Sequence, residues 1–461
     1  MSQTAFSSLP LDPKILENLN SLGYQSMTPI QALSLPDILA GKDVIAQGKT
    51  GSGKTAAFGL GLLHSLEVKR FRIQALVMCP TRELADQVAN EVRKLGRAIH
   101  NIKVLTLCGG APFGAQALSL EHGAHIIIGT PGRIEDHLRR GTLRLDHVHT
   151  LVLDEADRML EMGFQDTIDA IVEQVPSQRQ TLLFSATFPK QIKKIANLIM
   201  SEPIMVKAPA LHDNSIISQH FYNITEPYRL TALRLILQHF RPESTVVFCN
   251  TKRETQDVAD ALEDNGFSAL ALHGDLEQRD RDKTLVRFAN KSASVLVATD
   301  VAARGLDIDA IDMVVNYHIA HDPEVHLHRI GRTGRAGSKG IACSLYTEAD
   351  AHRVALLEGD IDPINDTEEL PPVRLLDQAP VHPQMSTILI DAGKKQKIRP
   401  GDILGALTGE RGIAGQQVGK IHIFDQWSYV AVSRDAIKPA LRKLSSGKLK
   451  GRTFRARHVR N

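Results

Sequence analysis

The run GKTGSGKT, residues 48–55, places three glycines, two lysines and three hydroxyl side chains in eight positions. It fits G-x-x-x-x-G-K-[ST], a spacing that lets backbone N–H groups curl around phosphates. Lys54 supplies positive charge to those phosphates, and the Thr55 hydroxyl can ligate Mg²⁺. DVIAQ before the loop reads as a strand and TAAFGLGLLHSL after it as a helix. That strand–loop–helix context is the one the chemistry requires.

Phosphate chemistry needs a second acid to organise the metal, at the end of another strand. TLVLDEAD, residues 150–157, delivers Asp154 and Glu155 at the C-terminal end of an apolar run, where α/β proteins bind ligands. Asp154 is placed to hold Mg²⁺ through water, and Glu155 to orient or deprotonate an attacking water. HRIGRTGRAG, residues 328–337, adds three arginines in seven positions. On composition alone this is an exposed basic loop. Beside a phosphate site, Arg332 and Arg335 could reach one phosphate from a second domain, making catalysis conditional on closure.

The elements that position these residues form two series. ALVMC (75–79), HIIIGT (125–130), TLVLD and TLLFSAT (181–187) are short, β-branched-rich runs, followed by TVVFCN (245–250), VLVATD (295–300), MVVNY (313–317) and IACSLY (341–346). They read as buried parallel strands. Between them lie helical patterns: in TRELADQVANEVRKL, Leu84, Val88, Val92 and Leu95 form one stripe. Alternating strands and helices predict two α/β parallel-sheet domains, 1–208 and 218–368, with a hinge at 209–217. ELPPVRLLDQAPVHP (369–383) carries four prolines and reads as a linker to a last segment, 385–461.

Composition adds an asymmetry. From residue 385 onward there are 16 Lys+Arg against 5 Asp+Glu, a net +11, while the rest of the chain sums to −8. A basic module on an acidic body implies a polyanionic partner, most simply nucleic acid. Four scattered cysteines without a CxxC pair fit reduced thiols, and MSQTAFSSLPLDPK lacks the regions of a signal peptide. The expectation is a cytoplasmic protein without a membrane partner.

Taken in order from residue 6 to about 350, these runs resemble the DEAD-box RNA helicases. GYQSMTPIQ (23–31), with Phe6 upstream, resembles the adenine-reading motif, which implies that Gln31 hydrogen-bonds adenine and Tyr24 packs against it. The phosphate loop (Gly48, Lys49, Thr50, Gly51, Ser52, Gly53, Lys54, Thr55), DEAD and SAT (185–187) match the family's phosphate, metal and coupling motifs. Coupling is thereby assigned to Ser185, Thr187, Asp157 and His328. Asp307 is implied at the ribose, with Arg332 and Arg335 at the γ-phosphate. PTRELA, GG and TPGR imply RNA contacts from Pro80, Arg82, Gly109, Gly110, Thr130 and Arg133. VVFCNT, QRDR and ATDVAARGLD imply the same for Asn250, Arg281, Thr299 and Arg304. Two positions depart from the family: Gly48 where alanine is usual and His326 where tyrosine is usual. The resemblance implies two RecA-like domains that close on ATP, Mg²⁺ and single-stranded RNA, and local unwinding of short duplexes.

The last segment reads β-α-β-β-α-β, the order of an RNA-recognition (RRM-like) α+β fold. Its strands are TILIDAG (387–393), two within 420–432, and TFRARHV (453–459). Alternation along WSYVAV puts Trp427 and Tyr429 on one face and Val430 and Val432 on the other. Those aromatics either stack on bases or cover a small core, and pattern does not separate the two. Lys394, Lys395, Lys397 and Arg399 are the expected phosphate contacts. DAGKKQKIRPGDILGALTG resembles the ribosomal-RNA-activated bacterial members of the family. That likeness implies a monomer targeted to a hairpin of 23S ribosomal RNA in large-subunit assembly.

Overall fold

The computed structural model describes residues 5–48, 51–188, 190–208, 217–303, 311–334, 339–357, 367–410 and 412–459. Two compact units divide between residues 208 and 217. The hinge expected at 209–217 lies outside the described residues except for Ile217.

The first unit is a seven-stranded, wholly parallel sheet. Its strands are β1 (Val44–Gln47), β2 (Ala75–Met78), β3 (Val104–Leu107), β4 (Ile126–Gly129), β5 (Thr150–Asp154), β6 (Gln180–Ser185) and β7 (Ile204–Lys207). They lie in the order β3-β4-β2-β5-β6-β1-β7. Alternate side chains enter different cores. Val44, Ala46, Val77, Ile128 and Val152 join one cluster, and Ile45, Leu76, Met78, Ile127 and Leu151 the other. Burial on both faces is why these strands are continuously apolar. The stripe Leu84, Val88, Val92 and Leu95 lies on the helix Arg82–Leu95 and is buried against the first cluster.

The second unit begins with a six-stranded parallel sheet: β8 (Ile217–Asn223), β9 (Thr245–Cys249), β10 (Ala269–Leu272), β11 (Val295–Thr299), β12 (Met313–Asn316) and β13 (Gly340–Tyr346). Their order is β10-β11-β9-β12-β13-β8. The proline-rich stretch that follows lies along this domain: Gln238 donates to the carbonyl of Gln378 at 2.7 Å.

The same unit ends in an antiparallel sheet of β14 (Met385–Ile390), β15 (Val418–Ile423), β16 (Ser428–Ser433) and β17 (Ala456–Val459), ordered β15-β16-β14-β17. With the helices Pro400–Thr408 and Ile437–Ser446 the sequence order is β-α-β-β-α-β. Ile388, Ile390, Val430 and Val432 meet Ile403, Leu407, Ala440 and Leu444 in its core. The basic end of the chain therefore includes a paired strand: Ala456–Val459 hydrogen-bonds along β14. All four cysteines are free and buried.

Candidate nucleotide site and RNA-facing surfaces

The phosphate loop leaves β1 at Gly48, and Gly51 (φ 83°) and Gly53 (φ 93°) take left-handed turns that a side chain would strain. Lys54 opens the helix Lys54–His64, is 6% exposed, and donates to the carbonyl of Gly48 at 2.8 Å. The loop thus curls back on its own lysine, with Thr55 beside it at the helix N-terminus. A Cβ on Gly48 would meet Ser52 Oγ at 3.0 Å, a tight but flexible contact, so glycine relieves crowding that alanine would bring. Lys49 and Thr50 lie outside the described residues.

β5 carries Asp154 into the interior at 2% exposure. Burial pushes its carboxyl up to about 7, with Lys54 opposing and Glu155 adding to the rise. Glu155 sits at φ 50°, ψ 51°, a left-handed conformation that costs a non-glycine residue roughly 1–2 kcal/mol. Asp157, 3% exposed, accepts from the N–H of Thr187 at 3.0 Å and its hydroxyl at 2.9 Å. Burial alone would raise Asp157, but these bonds and nearby Lys54 outweigh it and hold the carboxyl below the usual range. Ser185 donates to the carbonyl of Thr187 at 2.6 Å, while Gly48 N–H donates to the carbonyl of Ser185 at 3.0 Å. Phosphate loop, SAT and the last acid of DEAD form one hydrogen-bonded chain.

Gln31 lies in the first turn of the helix Pro29–Leu39, 2% exposed. Its Oε1 accepts from Thr28 N–H at 2.9 Å and its Nε2 donates to the carbonyl of Gly53 at 3.0 Å. Thr28 Oγ1 donates to the carbonyl of Ser52 at 2.7 Å. The glutamine thus grips the phosphate loop itself, a connection the sequence reading did not anticipate. Phe6 and Tyr24 meet edge to face at 6.1 Å, and the Tyr24 hydroxyl donates to Glu91. Burial and Glu91 together push the Tyr24 phenol up. Glu91 is half-buried and lies outside the apolar stripe of its helix, so no pattern signalled it.

Elsewhere on the first unit, the RNA-motif residues converge. Gly110 has φ 73°, and a Cβ there would collide with the Arg82 guanidinium. Arg82 Nε is buried with no hydrogen-bond partner among the described residues. Arg133 donates to the carbonyl of Ala111 at 2.9 Å. Gly109, Thr130, Gly132, Arg133, Arg139 and Arg140 line a cleft of ≈ 540 Å³. Pro80 is buried at the end of β2 and serves the backbone turn.

On the second unit, Arg329 of HRIGRTGR is structural: its Nε and Nη2 meet both oxygens of Asp300 at 2.7 and 2.8 Å, and Nη1 donates to the carbonyl of His318 at 2.7 Å. Arg332 is buried at 7% exposure and His328 is half-buried. Thr299 ends β11, where its hydroxyl accepts from Ala302 N–H at 3.4 Å. Asn250 is exposed after β9, and half-buried Arg281 lies on the helix Gln278–Ala289. His326 is 2% exposed, stacks on Phe221 at 6.3 Å, and burial lowers its imidazole to about 4. It fills the position as a neutral ring. Arg304, Asp307 and Arg335 lie outside the described residues.

Of the two readings left open for the C-terminal aromatics, stacking on bases or packing, Tyr429 packs. Tyr429 is 1% exposed, sealed with Leu389 and with Val286 of the helix Gln278–Ala289. The face opposite the sheet's own helices is covered by the preceding α/β domain, so the Tyr429 ring offers no stacking surface. Trp427 is half-buried in the same seam, with the Arg279 guanidinium 5.3 Å from its ring centre. Asn290 and Ser292 close the seam by hydrogen bonds to Thr387 Oγ1 at 3.1 and 2.7 Å. Lys394, Lys395, Lys397 and Arg399 are exposed on a loop pinned to the β15–β16 turn: Lys394 and Lys395 N–H groups donate to the carbonyls of Phe424 and Asp425.

Comparison with known proteins accords with this geometry. Residues 28–195 match the DEAD/DEAH box helicase family, 229–337 the helicase conserved C-terminal domain, and 387–458 the DbpA RNA binding domain. The chain is 54% identical over 455 residues to the ATP-dependent RNA helicase DbpA of Escherichia coli (strain K12), covering 98% of this chain and 99% of that one. It is 46% identical over 356 residues to the DEAD-box ATP-dependent RNA helicase CshA of Geobacillus kaustophilus (strain HTA426), covering 77% and 76%. Saccharomyces cerevisiae Dbp5 bound to RNA and ADP BeF3 superimposes with a TM-score of 0.69 at 30% identity, over 78% of this chain and 94% of that one. The chain belongs to the DEAD-box ATP-dependent RNA helicases: it is an RNA-dependent ATPase with two RecA-like domains and a DbpA-type RNA-binding domain.

Proposed function

We propose that this helicase works on 23S ribosomal RNA during assembly of the large ribosomal subunit, held to a hairpin there by residues 385–461 while its core opens short neighbouring duplexes. It acts as a monomer in the cytoplasm; among the described residues no helix is long and apolar enough to cross a membrane. The domains divide as 1–208, 218–368 and 385–461. The observation that carries the reading is the C-terminal domain itself. Its net charge is +11, and its basic loop at Lys394, Lys395, Lys397 and Arg399 is exposed while its aromatic face is closed. Such a surface grips a folded RNA by its phosphates and shape rather than by stacking on bases.

In the core, Lys54 and the backbone of residues 48–55 hold the phosphates, and Gln31 ties the adenine-side segment to that loop. The residues fit Mg²⁺: buried Asp154 carries a raised pKa that a cation would reverse, and Mg²⁺ needs only one or two carboxylates beside substrate phosphates. Thr55 and water-linked Asp154 would hold the ion, which would neutralise charge on the β- and γ-phosphates. Glu155 orients and takes the proton from the attacking water. Arg332 and Arg335 approach the γ-phosphate on closure, with Asp307 at the ribose. The chain Gly48–Ser185–Thr187–Asp157 carries the state of the phosphate loop toward the RNA-facing side, with His328 answering from the second domain. Backbone-directed contacts from Arg82, Gly109, Gly110, Thr130 and Arg133, and from Asn250, Arg281, Thr299 and Arg304, leave the core indifferent to base sequence.

The test is strand displacement from a short duplex joined to a 23S hairpin, against the same duplex joined to an unrelated hairpin. Preferential displacement of the first, dependent on ATP, is expected. Equal rates on both would remove the targeting.

A further inference from the structure

Beneath the arginine-lined cleft of the first unit lies a side chain that neither sequence motif nor family match singles out. Gln116, 9% exposed, belongs to the helix Phe113–Glu121. Its Nε2 donates to the carbonyl of Cys108 at 2.8 Å, the residue leading into Gly109 and Gly110. Its Oε1 accepts from Arg133 Nη1 at 3.0 Å and meets His137 Nε2 at 3.1 Å. Arg133 Nη1 is shared with the carbonyl of Ala111 at 2.9 Å, on the far side of the glycine pair.

The carboxamide orientation is fixed by chemistry. One end faces a carbonyl, which can only accept; the other faces a guanidinium, which can only donate. That orientation sets the tautomer of His137, which is fully buried, its ring stacked on Phe113 at 4.2 Å and the Arg140 guanidinium 4.3 Å from the same phenyl. Burial and the adjacent Arg133 and Arg140 charges, against the opposing charge of Asp136, lower its pKa. Facing an acceptor oxygen, the neutral ring donates from Nε2 to Gln116 and accepts at Nδ1 from the Thr142 hydroxyl at 2.8 Å, a hydroxyl that also lies 3.2 Å from the His137 carbonyl. Glutamate lacks the donor for Cys108, methionine lacks both functions, and asparagine is one methylene short.

We propose that Gln116 is a positioning residue for RNA engagement: by bonding Cys108 and Arg133 at once, it fixes the Arg133 guanidinium against the Gly109–Gly110 turn. Among the described residues the bonds to the Arg133 guanidinium come from Nη1 alone, its carbon lies 6.0 Å from the Phe113 ring centre, and the residue lines the cleft. A phosphate arriving there meets an arginine whose rotamer is already set, and less entropy is lost in binding. The inference rests on the reading of this cleft as an RNA backbone site.

The experiment is RNA-stimulated ATPase of the full chain, titrated with RNA, for wild type, Gln116→Met, Gln116→Glu, Arg133→Ala, Arg133→Lys and the Gln116→Met/Arg133→Ala double variant. Gln116→Met should raise the half-saturating RNA concentration about 10-fold, leaving the maximal rate within about 2-fold. Gln116→Glu keeps the acceptor for Arg133 but sets a carboxylate oxygen against the Cys108 carbonyl, so it should fall between wild type and Gln116→Met. In the Arg133→Ala background Gln116→Met should add less than about 2-fold, because its effect runs through the arginine. If Gln116→Met is too unstable to assay, Arg133→Lys decides. A lysine can meet Ala111 and Gln116 only with its one nitrogen and then offers the cleft no further fixed donors, so it should bind RNA nearly as poorly as Arg133→Ala. Wild-type RNA dependence in Gln116→Met or in Arg133→Lys, with Arg133→Ala impaired, would overturn the positioning role. Wild-type RNA dependence in Arg133→Ala would instead remove the RNA reading of the cleft, and the inference with it.

Discussion

Thr187 donates two hydrogen bonds to one oxygen of Asp157, from its N–H at 3.0 Å and its hydroxyl at 2.9 Å. The pair joins the end of β6 to the helix that follows β5, so any shift of the DEAD segment is felt at SAT. Thr187→Val removes the hydroxyl and keeps the shape. It should cost about 1.5 kcal/mol, the lower end of the range for a hydrogen bond to a charged group, because the bond is only part-buried. Asp157 is held low in the folded state. Its stabilisation is therefore present above the unfolded carboxylate pKa of about 4 and is lost as pH falls through the lower folded value. In Thr187→Val that acid loss should begin at higher pH, which denaturant titrations at about pH 7 and stepwise down to about pH 3 would register.

Glu155 combines backbone strain with a proposed role at the attacking water. At φ 50° and 7% exposure it is a buried acid in a backbone conformation that favours glycine. Glu155→Gln should lower turnover by about 100- to 10,000-fold while nucleotide affinity changes little. Glu155→Gly should be as inactive yet melt at a higher temperature, having lost both the strain and the buried charge. Thermal unfolding beside ATP turnover checks both, and a lower melting point for the glycine variant would contradict the strain assignment.

Asp154 makes the nucleotide-free protein pH-dependent in the opposite sense. Burial raises its carboxyl to about 7, so between about pH 4 and pH 7 the folded state holds a proton that the unfolded state has released. Stability falls as pH rises through that window. Asp154→Asn should flatten this slope and stabilise the nucleotide-free protein at pH 8, as melting curves at pH 5 and pH 8 would show. An unchanged slope would assign it to another group.

The seam around Tyr429 separates docking from RNA contact. Tyr429→Ala should destabilise by about 3–5 kcal/mol, the cost of emptying a buried aromatic site. Lys394→Glu with Lys395→Glu should leave stability near wild type. It should reduce the salt dependence of ribosomal-RNA binding, the log–log slope shrinking by up to about 2. Trp427→Ala should weaken the Arg279 contact and leave both the RNA affinity and that slope unchanged. Binding measured across a salt series distinguishes them: a loss of affinity at constant slope in Trp427→Ala would return the tryptophan to the RNA surface.

Much of the fold was legible because parallel strands buried on both faces must be continuously apolar. TLVLD could be placed with Asp154 at its end before any coordinate was known. The alternation along WSYVAV also sorted Val430 and Val432 from Trp427 and Tyr429 correctly. Alternation says which face a residue is on, but not what covers that face. The covering residues, Val286 and Arg279, are more than a hundred positions away and carry no local signal. Glu91, Gln116 and Thr387 were missed for the same reason: each is ordinary in its own element and acts only through a distant partner. Gln31 stood out by its motif, but its bond to Gly53 depends on the loop's path and not on spacing.

We propose that ribosomal RNA, gripped by the C-terminal domain, switches on the ATPase of the core. The most direct measurement is ATPase rate of the full chain against RNA concentration, with 23S ribosomal RNA and with a homopolymer, repeated for Lys394→Glu/Lys395→Glu. Strong activation by 23S ribosomal RNA at concentrations where the homopolymer does little, with that preference lost in the double variant, is the predicted result. Equal activation by both RNAs, unaffected by the charge reversal, would contradict it.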